Sequence, residues 1–235
     1  MSASARTIKR FFILDRSGSM EIIKDNTIHG FNNFVNEQRQ FGGTMSLVIF
    51  DQEITSVYSE CDINNVPPLD NMTYMPRGTT ALYDAIGMTI SYVDRLLQHQ
   101  HSNQDKDNVI IKFIILTDGF DNSSSRFKMD QIRTMIQTYT QLDWDFMFLG
   151  SNEEAIFAAK NIGIANQNTM TFNSANIDLA FRSLSLTMSQ QAQGIDVSIS
   201  QYSQPMDIPL PLPYTPLPQR MPTHLRVRCP STPSI

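Results

Sequence analysis

The stretch Phe11-Phe12-Ile13-Leu14-Asp15-Arg16-Ser17-Gly18-Ser19-Met20 sets the reading of the whole chain. Its apolar half closes a segment over 7–14 whose aromatic and β-branched side chains suit a strand. Beyond Leu14 the pattern changes. Asp15, Ser17 and Ser19 place a small oxygen donor at every second residue. In extended chain, alternate side chains point the same way, so the three oxygens converge. Gly18 lets the backbone turn into whatever follows.

Outward from this stretch, helical and strand periods alternate. Residues 22–40 carry apolar positions at helical spacing. Residues 44–50 read as a strand, and 54–58 as a short third strand antiparallel to it. Leu82, Ile86, Thr89, Val93 and Leu96 mark one face of a helix over 80–97. Residues 109–116 are almost continuously apolar, the mark of a strand covered on both faces. A helical stripe at Ile132, Met135, Ile136 and Tyr139 precedes a buried strand over 146–149 and a helix over 153–160, with Gly163 as its stop. A last strand over 169–172 and a helix through Ile177, Ala180, Phe181, Leu184 and Met188 complete the series. Such alternation implies right-handed crossovers. The expected class is α/β: a three-layer, Rossmann-like, doubly wound, mostly parallel sheet with helices on both faces. Ligands of such sheets sit beyond the carboxyl ends of the strands.

Two more loops deliver oxygen donors to that end. Thr117-Asp118-Gly119 follows the strand over 109–116 and carries a second carboxylate. Arg77-Gly78-Thr79-Thr80 leads into a helix and carries hydroxyls. A donor set of hard oxygens, without sulfur or a nearby histidine, suits Mg²⁺ or Mn²⁺. Ser17 and Ser19 taken alone would serve as helix caps, and Asp118-Gly119 as a turn. Neither role accounts for the three loops occurring together at strand ends.

These residues resemble the von Willebrand factor A domain and its metal-ion-dependent adhesion site. That site is written Asp-x-Ser-x-Ser on a first loop, threonine on a second and aspartate on a third. Asp15, Ser17 and Ser19 match the first part. Thr80, in Gly78-Thr79-Thr80-Ala81-Leu82-Tyr83-Asp84-Ala85, matches the second, and Asp118 the third. Thr79 departs from the pattern, which often has glycine there. The resemblance covers roughly residues 7–190 and is closest to compact cytoplasmic members from bacteria and phages. It implies a Mg²⁺ site of Asp15, Ser17, Ser19, Thr80 and Asp118, held largely by neutral oxygens and left open to a carboxylate. It also implies a protein partner that supplies an Asp or Glu, and work beside an AAA+ ATPase or a stress-response complex.

The remaining features narrow the function class. The net charge of −5, with no basic stripe, argues against nucleic acid and anionic membrane as partners. Two cysteines, Cys61 and Cys229, are too few for a disulfide-stapled secreted scaffold or a zinc site. The apolar run over 11–14 is too short for a signal-peptide core or a membrane span, so the expected location is the cytoplasm. Nine of the twelve prolines lie between Pro205 and Pro233. Residues 1–193 therefore read as the domain and 194–235 as an extended, disordered, partly polyproline II tail with a PxxP at Pro213 and Pro216.

An enzyme is the competing class. A phosphoryl-transfer hydrolase of the haloacid-dehalogenase kind also needs an aspartate after the first strand and Mg²⁺. It requires a second carboxylate two residues on as general acid, where this chain has Ser17. P-loop and GxSxG signatures are missing. No catalytic residue is assigned. A metal-independent scaffold of the same fold is the third class. Asp121 and Asn122 read as a turn, Asp84 as a helix N-terminal charge, and Arg16 and Arg77 as solvated or partner-facing. His29, His99 and His101 read as isolated, Cys61 as a loop residue, and Met72, Met75 and the other methionines as filler.

Overall fold

The computed structural model of the chain describes residues 6–99 and 108–202. Six strands form one sheet: β1 (Thr7–Asp15), β2 (Thr44–Phe50), β3 (Ile54–Asp62), β4 (Val109–Thr117), β5 (Asp145–Gly150) and β6 (Thr169–Thr171). The helices are α1 (Lys24–Gln38), α2 (Leu82–His99), α3 (Met129–Thr140), α4 (Glu153–Asn161) and α5 (Ile177–Ala192). The strand order is β3-β2-β1-β4-β5-β6. β3 runs antiparallel to β2, and every other pairing is parallel.

Alternation along β1 divides the interior into two cores. Phe12 and Leu14 face α1 and α5, where they meet Phe31, Phe34, Phe181 and Leu184. Phe11 and Ile13 face α2, α3 and α4, where they meet Leu82, Ile86, Ile90, Ile132 and Ala159. Phe12 packs edge-on to Phe31 at 5.1 Å and stacks on Phe181 at 6.2 Å. Gly30 makes that second contact possible, since a Cβ there would fall 2.1 Å from the Phe181 ring. On the other face Phe113 stacks against Phe11, Trp144 and Phe146.

The topology places the functional end. β1 connects through α1 to β2 on one side, while α2 carries the chain across the opposite face to β4 on the other. The direction of winding reverses between β1 and β4, so a crevice opens at their carboxyl ends.

Two expectations change. β3 extends four residues past Tyr58 to Asp62, so Cys61 lies buried in a strand opposite Met45 and not in a loop. Register shifts between Met45 and Val48, with Glu60 at φ 47°, break the period-two pattern that marks a strand in sequence. Residues 195–202, read as the start of a tail, fold back on α5. Gln191 donates to the Val197 carbonyl at 2.9 Å and Ser183 to the Tyr202 carbonyl at 3.0 Å, and Ile199 is buried. The folded unit thus continues past residue 193. The PxxP at Pro213 and Pro216 lies outside the described residues.

Candidate metal centre

The register Leu14–Leu116 between β1 and β4 sets Asp15 beside Thr117, with Asp118 one residue further on. Asp15 is fully buried. Thr117 donates its hydroxyl to Asp15 Oδ2 at 2.5 Å, and the Ser17 amide donates to Oδ1 at 2.6 Å. The Tyr74 hydroxyl secures the Asp15 carbonyl at 2.6 Å. Burial pushes the Asp15 carboxyl up to about 6, against the downward pull of the hydrogen bonds from Thr117 and Ser17.

Ser17 precedes a 3₁₀ turn over Gly18–Ile23, but its side chain makes no capping bond. It turns into the crevice instead. Ser17 Oγ lies 3.1 Å from Ser19 Oγ, and Ser19 donates to Asp118 Oδ1 at 2.8 Å. The Asp118 carboxyl is raised, first by burial, while hydrogen bonds from Ser19 and Ser17 work the other way.

Thr80 arrives from the second loop. Its amide donates to Asn122 Oδ1 at 2.8 Å, and its carbonyl accepts from the Asn122 and Ser123 amides. The hydroxyl faces the third loop, 3.9 Å from where a Cβ on Gly119 would stand. Thr79 is exposed, and its amide donates to Gln52 Oε1 at 3.1 Å. The same Gln52 oxygen explains Gly78, which has φ 67° and room for no Cβ; one would lie 1.7 Å from that atom. First and second loops are also joined directly, from the Gly18 amide to the Gly78 carbonyl at 3.2 Å and from the Arg77 amide to the Arg16 carbonyl at 2.8 Å.

The structure therefore brings Asp15, Ser17, Ser19 and Asp118 into one hydrogen-bonded cluster and sets Thr80 at its edge. The spacing fits a small dication. In an octahedron with bonds of about 2.0–2.1 Å, neighbouring oxygens stand about 3 Å apart. The 3.1 Å and 2.8 Å separations of Ser17, Ser19 and Asp118 are of that size. Two desolvated carboxyls with raised pKa values are a further sign, because nearby positive charge would ease their ionisation. Among the described residues no three His, Cys, Asp or Glu side chains gather at a point. A cation here is thus a matter of hydroxyls with two carboxyls, which disfavours the softer metals.

Several residues around the centre have roles that sequence reasoning misassigned or missed. Arg16 and Arg77 are not free. Both turn to Asp51, which is fully buried just past the end of β2, at 2.9 Å and 2.8 Å. The Asp51 carbonyl also takes the Ala81 amide at 2.9 Å, beside Thr80. A carboxylate at the end of a third central strand was the available signal. Asp84 does more than oppose a helix dipole: its carboxylate accepts the amides of Ser125, Arg126 and Phe127, and so fastens the third loop to α2. Asn122 holds the Thr80 amide, and Asp121 accepts the Tyr83 amide and the Ser124 hydroxyl. His101 lies outside the described residues.

No protein-family model matches the chain, and no curated protein sequence does. Solved structures do. The vWF domain of the type V pili tip protein Mfa5 from Porphyromonas gingivalis superposes with a TM-score of 0.60 at 11% identity, over 83% of this chain and 99% of that one. The fold is that of a von Willebrand factor A domain. Manganese-loaded TRAP protein from Plasmodium vivax is similar at a TM-score of 0.51 and 14% identity, over 74% of this chain and 71% of that one. BatB from Bacteroides thetaiotaomicron is similar at 0.52 and 12%, over 79% and 99%. Within the von Willebrand factor A fold, the oxygen cluster of this chain occupies the winding switch between β1 and β4.

Proposed function

We propose that the chain is a divalent-metal-dependent protein-binding module. In this reading Ser17, Ser19 and Thr80 contribute neutral oxygens, and Asp15 and Asp118 hold the arrangement and carry its charge. When bound, Mg²⁺ or Mn²⁺ would supply an electrophilic coordination position for a partner's carboxylate. The observation that carries the reading is the contact of Ser17, Ser19 and Asp118 oxygens at 2.8–3.1 Å, between two loops from neighbouring strands. The neighbour TRAP, whose structure holds manganese, supports the choice of ion. Asp15 and Thr117 set the depth of the centre, and the Arg16–Asp51 pair keeps the adjacent guanidinium out of it.

The reading is of a binding module and not an enzyme: among the described residues no nucleophile with an activating base accompanies the cluster. Its cytoplasmic location belongs to the same proposal. Among the described residues no helix is long and apolar enough to cross a membrane. An AAA+ ATPase or a stress-response complex is the partner class that the resemblance suggests.

The test is a calorimetric titration of the full chain with MnCl₂ and MgCl₂. One saturable site is expected, abolished in Asp118→Ala with an unchanged far-UV circular dichroism spectrum. No saturable site in the wild type would sink the reading.

A further inference from the structure

The end of the sheet opposite the metal centre holds a cavity of about 440 Å³. Ile8 of β1 and Ile110 of β4 are register partners and form its floor. Phe41, in the 3₁₀ turn Arg39–Phe41 after α1, stands on one side, and Gln191 and Ala192, at the close of α5, stand on the other. Arg6 lines it too and is exposed.

The next residue pair along the same face of the sheet is Arg10 and Lys112, two cations side by side. Both reach the walls of the cavity. Lys112 donates to Gln191 Oε1 at 2.7 Å, and Arg10 donates to the carbonyl of Gly42, next to Phe41, at 2.8 Å. Lys112 also pairs with Asp145 at 2.7 Å. Arg10 is fully buried, and its Nε has no hydrogen-bond partner. Burial pulls its guanidinium down to about 10, with no carboxylate to oppose the shift.

Charges at this end of the sheet do not cancel. Arg6, Arg10 and Lys112 are positive. Asp145 returns one charge, and the carboxyl ends of α1 and α5 each offset about half a charge. Asp196, four residues past Ala192, is exposed and forms no ion pair among the described residues. About one positive charge is left over. It stands at a cavity to which Ile8, Ile110 and Phe41 give an apolar side.

We propose that this cavity is a second ligand site, for a monocarboxylate with a hydrocarbon tail. The carboxylate lies at Arg6, within the field of Arg10 and Lys112, and the tail runs along Ile8, Ile110 and Phe41. Ligand cavities of about 300–1,000 Å³ combine such apolar surface with a few polar groups that fix orientation. An inorganic anion would leave the apolar side uncovered, and a neutral lipid would leave the charge unmet. The site is at the amino ends of β1 and β4, so it does not rest on the metal-dependent reading.

Amide spectra of the ¹⁵N-labelled full chain, titrated with sodium octanoate in metal-free buffer, test the inference. The signals of Ile8, Phe41, Ile110 and Ala192 should shift and saturate. Sodium acetate and 1-octanol, which carry the head and the tail alone, should bind at least about tenfold more weakly. Because Arg6 is exposed, Arg6→Gln should keep the fold, shown by unchanged signals of α3 and β5, and weaken octanoate at least about fivefold. Equal affinity for octanoate and 1-octanol would mean an apolar cavity without anion recognition and overturn the inference. So would octanoate binding that Arg6→Gln leaves unchanged, or shifts that fail to saturate and centre on exposed apolar residues elsewhere, such as Leu142 and Phe157. Unmoved signals at Ile8 and Ile110 overturn it outright.

Discussion

The Thr117 hydroxyl donates to Asp15 Oδ2 at 2.5 Å, joining the ends of the two central strands beneath the metal centre. Even with this bond, burial leaves the Asp15 carboxyl at about 6. An unfolded aspartate titrates near 3.9. Between these values, rising pH takes the proton from the unfolded chain first, so the metal-free fold loses stability from pH ~4 to ~6 and levels off above. The shift corresponds to about 3 kcal/mol at most. Melting temperatures measured in EDTA should show a steeper decline in the wild type than in Asp15→Asn, where the raised Asp118 carboxyl alone remains. With saturating Mg²⁺ the wild type's decline should disappear, because the cation favours the ionised carboxylate in the fold. Metal affinity should fall as pH drops below ~6, because the proton and the cation compete for one carboxylate. Identical pH profiles for the two proteins would refute the assignment.

Asp51 should matter more than its distance from the oxygen cluster suggests. It pairs with Arg16, which is buried, and with Arg77, which is exposed. Asp51→Asn leaves the Arg16 guanidinium buried without a counter-charge, a loss of about 3–5 kcal/mol. It also loosens the joint between the first and second loops, so metal affinity should fall about 10- to 100-fold. Arg77→Ala, at the exposed end of the same network, should change stability by less than about 1 kcal/mol. Denaturant melts and metal titrations of both variants check the contrast.

Ser17 separates a cap from a ligand. If it capped the turn that follows, Ser17→Ala would cost about 1 kcal/mol without any metal present. Its side chain makes no capping bond, so the EDTA melting curve should match the wild type. The Mn²⁺ affinity should drop at least about tenfold, the loss of one oxygen ligand being worth 1.4 kcal/mol or more. A destabilised metal-free protein with unchanged affinity would restore the capping role.

Much of this molecule is legible in sequence because two physical signals are strong. The parallel strands are covered on both faces, so residues 109–116 read as a continuous apolar run and the observed strand differs by a single residue, Thr117. Donors at strand ends are equally plain, since a carboxylate directly after an apolar run has few structural reasons to be there. What escaped depends on partners distant in sequence. Arg10 interrupts the pattern of β1, yet it is fully buried, donating to the Gly42 carbonyl at 2.8 Å and approaching Gln38. Arg16 and Asp51 are 35 positions apart, and neither suggests the other until the sheet sets β1 beside β2. The end of β3 was lost because its bulges erase the alternation. Residues 195–202 look like linker because they contain one buried anchor, Ile199, and hold to α5 largely through side-chain bonds to backbone carbonyls.

Gly30 tests the packing beneath the site independently of its chemistry. A methyl group there would stand 2.1 Å from the Phe181 ring, which is itself stacked on Phe12 of the central strand. The ring has little room to retreat, because Phe31 and Phe34 fill the rest of that face. Gly30→Ala should therefore destabilise the fold by about 1–3 kcal/mol through overpacking, despite the better helix propensity of alanine. Adding Phe181→Leu should recover part of the loss by making room for the methyl, a non-additivity expected of residues in contact. Because the clash sits in the α1–α5 layer and the oxygen cluster at the strand ends, the folded variant should bind Mn²⁺ within about twofold of the wild-type affinity, a difference below 0.5 kcal/mol. A calorimetric titration of Gly30→Ala below its melting transition decides the point; a large loss of affinity would mean that the helical layer and the metal loops are coupled more tightly than their separate contacts indicate.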